Sequence, residues 1–179
     1  GSATAFMGGK LKDTYFKLKE YAKSNNKIIS FDANYRESLF GNNKEEFIKC
    51  CKEFIVDSNI VKLSEEEAKL ISGIEDIKEA SQYIVNLGCE NLMVTLGKEG
   101  TLLSNREKQI LIKTKEVKMK DATGAGDAFI GAVIAQILNE PGKSMEKIVE
   151  MANLVGGITT TKLGALESIP TWDEVFAYN

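Results

Sequence analysis

The sequence predicts a single α/β domain over residues 1–179, with a mainly parallel sheet flanked by helices. Three observations carry that prediction. Apolar stripes at helical spacing alternate with short apolar runs along the 179 residues, the pattern of strand–helix–strand units. Polar and glycine residues gather in the turns after those runs, where open α/β sheets bind their ligands. The string Asp121-Ala-Thr-Gly-Ala-Gly-Asp-Ala-Phe129 reads as a glycine turn that follows a short strand and opens a helix.

Taken in order, Leu11, Tyr15, Leu18 and Ala22 fall at helical spacing and precede a strand at Lys27–Phe31. Phe47, Cys51, Phe54 and Ile55 mark the buried stripe of the next helix, and Ile60–Leu63 is the next strand. Ile77, Ala80, Ile84 and Leu87 form a further stripe, closed by Gly88 at a helix C-terminus. Asn91–Leu96 is a strongly apolar strand. Thr101–Ser104 and Gln109–Ile112 pair as a hairpin around Asn105-Arg106-Glu107-Lys108. Charged and apolar residues alternate over Lys115–Met119, which predicts a strand with a solvated lysine face. Helices follow at about 125–138 and 144–161. A last short helix is announced by the capping box Thr171-x-x-Glu174.

Composition removes whole classes of function. An apolar fraction of 43% and a charged fraction of 27% belong to a globular protein with a proper core. A net charge of −3 argues against nucleic acid as the main partner. No apolar run reaches the length of a membrane span and no signal-peptide pattern appears, so the expected location is the cytoplasm. The 3 cysteines lack metal or CxxC spacing and read as small apolar side chains. There is no histidine, which excludes Ser-His-Asp and Cys-His nucleophilic catalysis, HExxH chemistry and most zinc sites. Acid–base work falls to Asp, Glu, Lys, Tyr or Cys.

The glycine turn carries the most chemistry. A helix N-terminus leaves backbone N–H groups unpaired and partly positive, so it suits a phosphate, and glycines at 124 and 126 let a ligand come close. Asp127 would repel that phosphate unless it does something else. A carboxylate placed to take a proton from an incoming hydroxyl resolves the conflict, and points to phosphoryl transfer to an alcohol. The bland reading is an acidic first turn of an ordinary helix. Familiar phosphate loops fail: Ile137 stands where a P-loop ending in Gly142-Lys143-Ser144 needs glycine, and Phe129 stands where a dinucleotide fingerprint needs its third glycine.

Three further turns complete the set. Ser64-x-x-Glu67 is a capping box, and Glu67 is also a candidate to hold magnesium through water near a phosphate. Thr95-Leu-Gly-Lys-Glu-Gly100 is either a plain strand-to-strand turn or one whose glycines let a flat nucleotide lie against the backbone. Asp32-x-Asn34-x-Arg36 has ordinary turn chemistry. Arg36 is nevertheless one of only two arginines, with Arg106, and its place after a strand favours contact with a phosphate or substrate.

Together these strings resemble the ribokinase-like, pfkB-type carbohydrate kinases. Asp121–Phe129 is similar to that family's C-terminal signature, and Val94-Thr-Leu-Gly-Lys-Glu-Gly100 to its nucleotide-binding turn. Phe31–Leu39 and the segments from Ala152-Asn153 to Thr161-Lys-Leu-Gly-Ala165 are most similar to fructokinases, with 2-keto-3-deoxygluconate kinases close behind. Other relatives of this fold phosphorylate vitamins or nucleosides, or repair damaged nicotinamide cofactors.

The resemblance implies a Rossmann-type fold and ATP-dependent phosphorylation of a sugar hydroxyl. Asp127 would be the general base, and the amides of Gly124, Ala125 and Gly126 would form the anion hole. Thr95, Gly97 and Gly100, with Ser64 and Glu67, would line the ATP site, and Asn153 would lie near adenine. Asp32, Asn34 and Arg36 would face substrate or phosphate. Mg2+ would sit by Glu67 through water. Asp121 and Thr123, with the loop from Thr159 to Ser168, match a region that binds a monovalent cation such as K+ in some members. Ser64 departs from the family's Asn-x-x-Glu motif.

The resemblance also covers only the later part of a family member. It lacks the N-terminal portion that normally supplies sugar-binding strands and a lid, through which family dimers pair. Gly1-Ser2-Ala3 resembles native family sequence, so truncation is expected rather than a cloning scar. On that reading the chain either takes part in sugar phosphorylation or is a non-catalytic nucleotide-binding half, and its full-length form is a homodimer.

Overall fold

The computed structural model describes residues 3–178, so the reading of Gly1-Ser2 lies outside the described residues. The chain packs as two compact units. One holds residues up to Thr95 together with Leu102–Ile110, and the other holds Leu96–Thr101 and the chain from Leu111 onward.

The first unit begins with a short 3-10 turn, Ala3–Met7, and helix α1, Gly9–Ser24. Strand β1 (Ser30–Asp32) leads through α2 (Glu37–Phe40) to α3 (Lys44–Ile55), then β2 (Ile60–Ser64), α4 (Glu65–Ser72), α5 (Ile77–Leu87) and β3 (Asn91–Thr95). β1, β2 and β3 are parallel neighbours, with Asp32 beside Lys62 and Ser64 beside Thr95. β4 (Thr101–Ser104) and β5 (Gln109–Ile112) extend the sheet in the order β1-β2-β3-β4-β5. Their connections are too short for parallel crossovers, so this side of the sheet is antiparallel. The predicted hairpin has its expected bounds, closed by Asn105 N–H donating to Lys108 O at 3.0 Å.

An aromatic cluster anchors the β1 side. Phe31 packs on Phe54 with ring centroids 5.0 Å apart, and Tyr35 on Phe47 at 4.8 Å. The helix predicted from Leu11, Tyr15, Leu18 and Ala22 is present as α1, but Leu11 and Leu18 are more than half exposed and do not lie on its buried face. The packed side is one residue further on. Phe16 stacks on Phe6, and the Lys19 ammonium sits over the Phe54 ring, 5.5 Å from its centroid, while donating to Glu53 O at 2.7 Å. The strand expected at Lys27–Phe31 is shorter and lies later, at Ser30–Asp32. α5 ends on Gly88 as predicted, with φ 122°.

In the second unit, α6 (Ala125–Asn139) and α7 (Met145–Thr159) pack along each other, and α8 (Trp172–Ala177) closes the chain. Gly156 makes this packing possible, since a Cβ there would lie 3.2 Å from Ala125 O and 3.6 Å from the Phe129 Cβ. Ser144 caps α7, accepting from Lys147 N–H, which accounts for the P-loop-like Gly142-Lys143-Ser144 without a phosphate. Both halves of the Thr171–Glu174 capping box are present.

The strand predicted at Lys115–Met119 is absent: residues 113–120 carry no regular structure, so the glycine turn does not follow a strand. The alternation offers a strand face, but the backbone finds other partners. Lys120 and Asp121 N–H both donate to Thr160 O, at 2.7 and 3.1 Å, and Thr114 Oγ1 donates to Asn153 O at 3.4 Å.

Candidate active site

In the second unit the chain enters α6 through Gly124, whose φ of 80° is left-handed and suits glycine. A Cβ at this position would lie 3.0 Å from the Ala165 Cβ, so the turn is also packed tightly against the 160–168 loop. Asp127 stands exposed in the first turn of α6. Its carboxylate takes no hydrogen bond or ion pair among the described residues, and neither Gly124 nor Gly126 N–H donates to a protein acceptor there. Ala125 differs from its expected role, because its N–H donates to Ala122 O at 3.2 Å. The donors available to an anion are therefore those of Gly124 and Gly126.

Asp121 is a brace for this turn. Its Oδ1 accepts from Thr123 N–H at 2.9 Å and Thr123 Oγ1 at 2.6 Å, and its Oδ2 accepts from Gly164 N–H at 2.9 Å. These bonds, the Thr123 hydroxyl first, hold its carboxyl below the usual range. The loop beyond is pinned by Ser168, fully buried, whose hydroxyl donates to Leu163 O at 3.1 Å.

The same unit holds the Gly97–Gly100 turn, and its two glycines differ. Gly97, with φ 56°, has nothing within 4 Å of a built Cβ, so a ligand can approach it. At Gly100 a Cβ would fall 2.1 Å from Ile112 O. Glycine is required there by a close approach to the chain's own backbone. Asn153 secures the arrangement: its Oδ1 accepts from Thr101 Oγ1 at 2.6 Å and its Nδ2 donates to Ile112 O at 2.8 Å. At 7% exposure it is a buried latch.

The first unit gathers Asp32, Asn34, Arg36, Ser64, Glu67 and Thr95 around the C-terminal ends of β1, β2 and β3. Thr95 Oγ1 donates to Leu63 O at 3.3 Å. The Ser64–Glu67 capping box is complete, with Glu67 Oε2 accepting from Ser64 N–H at 2.7 Å. Sequence reasoning missed what Glu67 does with its other oxygen: Oε1 accepts from Tyr35 N–H at 2.6 Å. Glu67 is 7% exposed and ties the turn after β1 to the start of α4. Asn34 adopts a left-handed φ of 45°, which asparagine tolerates better than most residues.

Also missed is Lys62, 7% exposed on β2, whose Nζ lies 3.2 and 3.3 Å from the two carboxylate oxygens of Asp32. Arg36 is exposed, donates from Nη1 to Tyr35 O at 3.3 Å, and has no ion-pair partner among the described residues.

Among the described residues no three of His, Cys, Asp and Glu come close enough to hold a metal ion directly. Glu67 keeps a lone pair on each oxygen after its two backbone bonds, which suits contact with hydrated magnesium but not a full ligand set. No helix among the described residues is long and apolar enough to cross a membrane.

Comparison with known proteins agrees with the sequence signatures. A model of the pfkB family carbohydrate kinases matches residues 3–172. Fructokinase-1 of Oryza sativa subsp. japonica is 34% identical over 173 residues, spanning 92% of this chain and 52% of that protein. The fructokinase of Vibrio cholerae O395, solved with fructose, ADP and calcium ion, superposes with a TM-score of 0.92 at 27% identity. It covers 99% of this chain, which spans 59% of the fructokinase. A sugar kinase of Pyrococcus horikoshii in complex with ATP gives a TM-score of 0.82 at 32% identity, covering 99% of this chain and 56% of its own. The chain thus spans about half the length of the curated relatives it matches, and its fold is ribokinase-like. It belongs to the pfkB family of carbohydrate kinases.

Proposed function

We propose that this chain carries the phosphoryl-transfer machinery of an ATP-dependent, fructokinase-like sugar kinase, with Asp127 as the general base. The observation that carries the reading is the start of α6. A left-handed glycine, amide donors without protein acceptors at Gly124 and Gly126, and an exposed, unpartnered carboxylate occupy four consecutive residues there. Phosphoryl transfer has a loose transition state, so catalysis is chiefly positioning and charge stabilisation. Fixed amides aimed at the developing charge contribute about 3–4 kcal/mol per donor at oxyanion holes. Asp127 orients the hydroxyl and accepts its proton late, a role worth roughly 10²–10⁴-fold.

The other residues take supporting parts. Gly97 leaves the backbone open to the nucleotide, while Gly100 and Asn153 hold that turn in place. Arg36 contacts an anionic group of the ligand. Magnesium, when bound, neutralises phosphate charge, and Glu67 holds it through water. The relatives solved with fructose, ADP and a divalent ion, and with ATP, support the choice of ligands.

Two assays on the 179-residue chain test the reading. Calorimetric titration with magnesium-ATP, with circular dichroism showing a folded chain, reports nucleotide binding. Sugar-dependent ADP release across a panel of fructose, 2-keto-3-deoxygluconate and ribose reports turnover. Binding with release on one sugar supports the full proposal and names the substrate. Binding without release assigns nucleotide binding alone to this chain, and a folded chain that binds no nucleotide contradicts it.

A further inference from the structure

The turn after β1 is held by two carboxylates, Asp32 half-buried and Glu67 buried. At its start, Asp32 is the last residue of β1 and meets Lys62 side by side across parallel strands, both carboxylate oxygens within 3.2–3.3 Å of Nζ. In its middle, Tyr35 N–H is fixed by Glu67 at 2.6 Å. Between these points Asn34 takes its left-handed φ of 45°, and immediately after them stands Arg36, exposed.

A buried ion pair is a poor way to gain stability, because desolvation offsets most of the attraction and an apolar pair of similar volume does as well or better. Its distinctive property is geometric: a carboxylate with both oxygens engaged has few alternative orientations. The side chains of Asp32 and Lys62 are 13% and 9% exposed, so solvent does little to loosen the pair.

We propose that Lys62 is a positioning residue. Its ammonium, set across both oxygens of Asp32, fixes the course of the Asp32–Arg36 turn and so directs the Arg36 guanidinium at the anionic group of the ligand. The proposal rests on the reading of Arg36 given above and adds the residue that makes Arg36 effective. A guanidinium carried on a fixed turn loses less freedom on binding than one on a loose turn.

The two arginines of the chain make a direct test possible, since only Arg36 and Arg106 give guanidinium Nε–H signals in a 15N spectrum. Inorganic tripolyphosphate is titrated into the wild-type chain, Lys62→Met and Lys62→Arg, with Arg106→Lys assigning the signals. Tyr35 amide exchange is read in the same samples without ligand.

The wild-type Arg36 signal should shift with tripolyphosphate while that of Arg106 stays still. In Lys62→Met the apparent affinity at Arg36 should fall about tenfold or more, the scale on which loss of an orienting partner acts at other sites. The Tyr35 amide should exchange faster while Val61 and Met93 stay protected, and Lys62→Arg should restore part of both. If Lys62→Met does not fold, Lys62→Gln, which keeps a hydrogen bond to Asp32 but no charge, carries the same test.

An Arg36 response equal in wild type and variant, or an unchanged Tyr35 exchange rate, overturns the proposal while leaving Arg36 in its role. A wild-type Arg36 signal that ignores tripolyphosphate removes the Arg36 reading, and the proposal falls with it.

Discussion

Thr101 and Asn153, 52 positions apart in sequence, share a buried hydrogen bond of 2.6 Å. With the Asn153 amide also donating to Ile112 O, α7 is latched to the end of the Gly97–Gly100 turn. Asn153→Ala leaves the Thr101 hydroxyl and the Ile112 carbonyl without these partners, at about 1–3 kcal/mol for each group that stays buried. With both groups left buried, chemical denaturation should therefore show a loss of about 2–6 kcal/mol. If Asn153 acts as a latch, its loss should weaken magnesium-ATP and magnesium-GTP binding alike. Selective loss of ATP over GTP would return Asn153 to contact with adenine.

The two glycines of the Gly97–Gly100 turn should respond differently to alanine. At Gly97 the space is open, and only the left-handed backbone matters, at roughly 1–2 kcal/mol. At Gly100 a methyl group would strike Ile112 O at 2.1 Å. Gly100→Ala should cost more than about 3 kcal/mol, in the range of severe overpacking, or fail to fold. Urea midpoints of the two variants check this, and equal midpoints would refute the account of Gly100.

Asp121 makes a prediction about acid. Its folded-state pKa is lowered, so the stability it contributes is fully present above the ordinary carboxylate value of about 3.9. That stability is lost as pH falls through the lowered value. Asp121→Asn should melt earlier than wild type near neutrality, and the gap should begin to shrink below about pH 4 and close as pH falls past the lowered value. A gap that persists undiminished in acid would mean that charge on Asp121 is not what braces the loop.

Local signals were legible in the sequence, and relationships between distant residues were not. The β4–β5 hairpin, the Thr171 capping box and the start of α6 each depend on residues within a few positions of one another. α1 was legible as a helix but its buried face was not, because Lys19 is buried with its ammonium over the Phe54 ring where pattern reading expects a solvated charge. Lys115–Met119 has a strand's alternation but no strand to pair with, and pairing partners are a property of the fold.

The candidate site divides in the same way. Asp127 and its glycines stand out by spacing alone. Lys62 beside Asp32, and Glu67 beneath Tyr35, are pairs 30 and 32 positions apart that only β1–β2–α4 packing brings together.

In the proposed reaction Asp127 takes the proton and does not bind the nucleotide. The most direct measurement compares Asp127→Asn with wild type, recording kcat for sugar-dependent ADP release and the magnesium-ATP Kd side by side, in the form of the protein that turns over. The account predicts a kcat lower by roughly 10²–10⁴-fold, with ATP affinity unchanged or slightly tighter, because a negative charge beside the phosphates has gone. A variant that keeps most of its kcat, or that loses ATP binding in proportion to turnover, would contradict it.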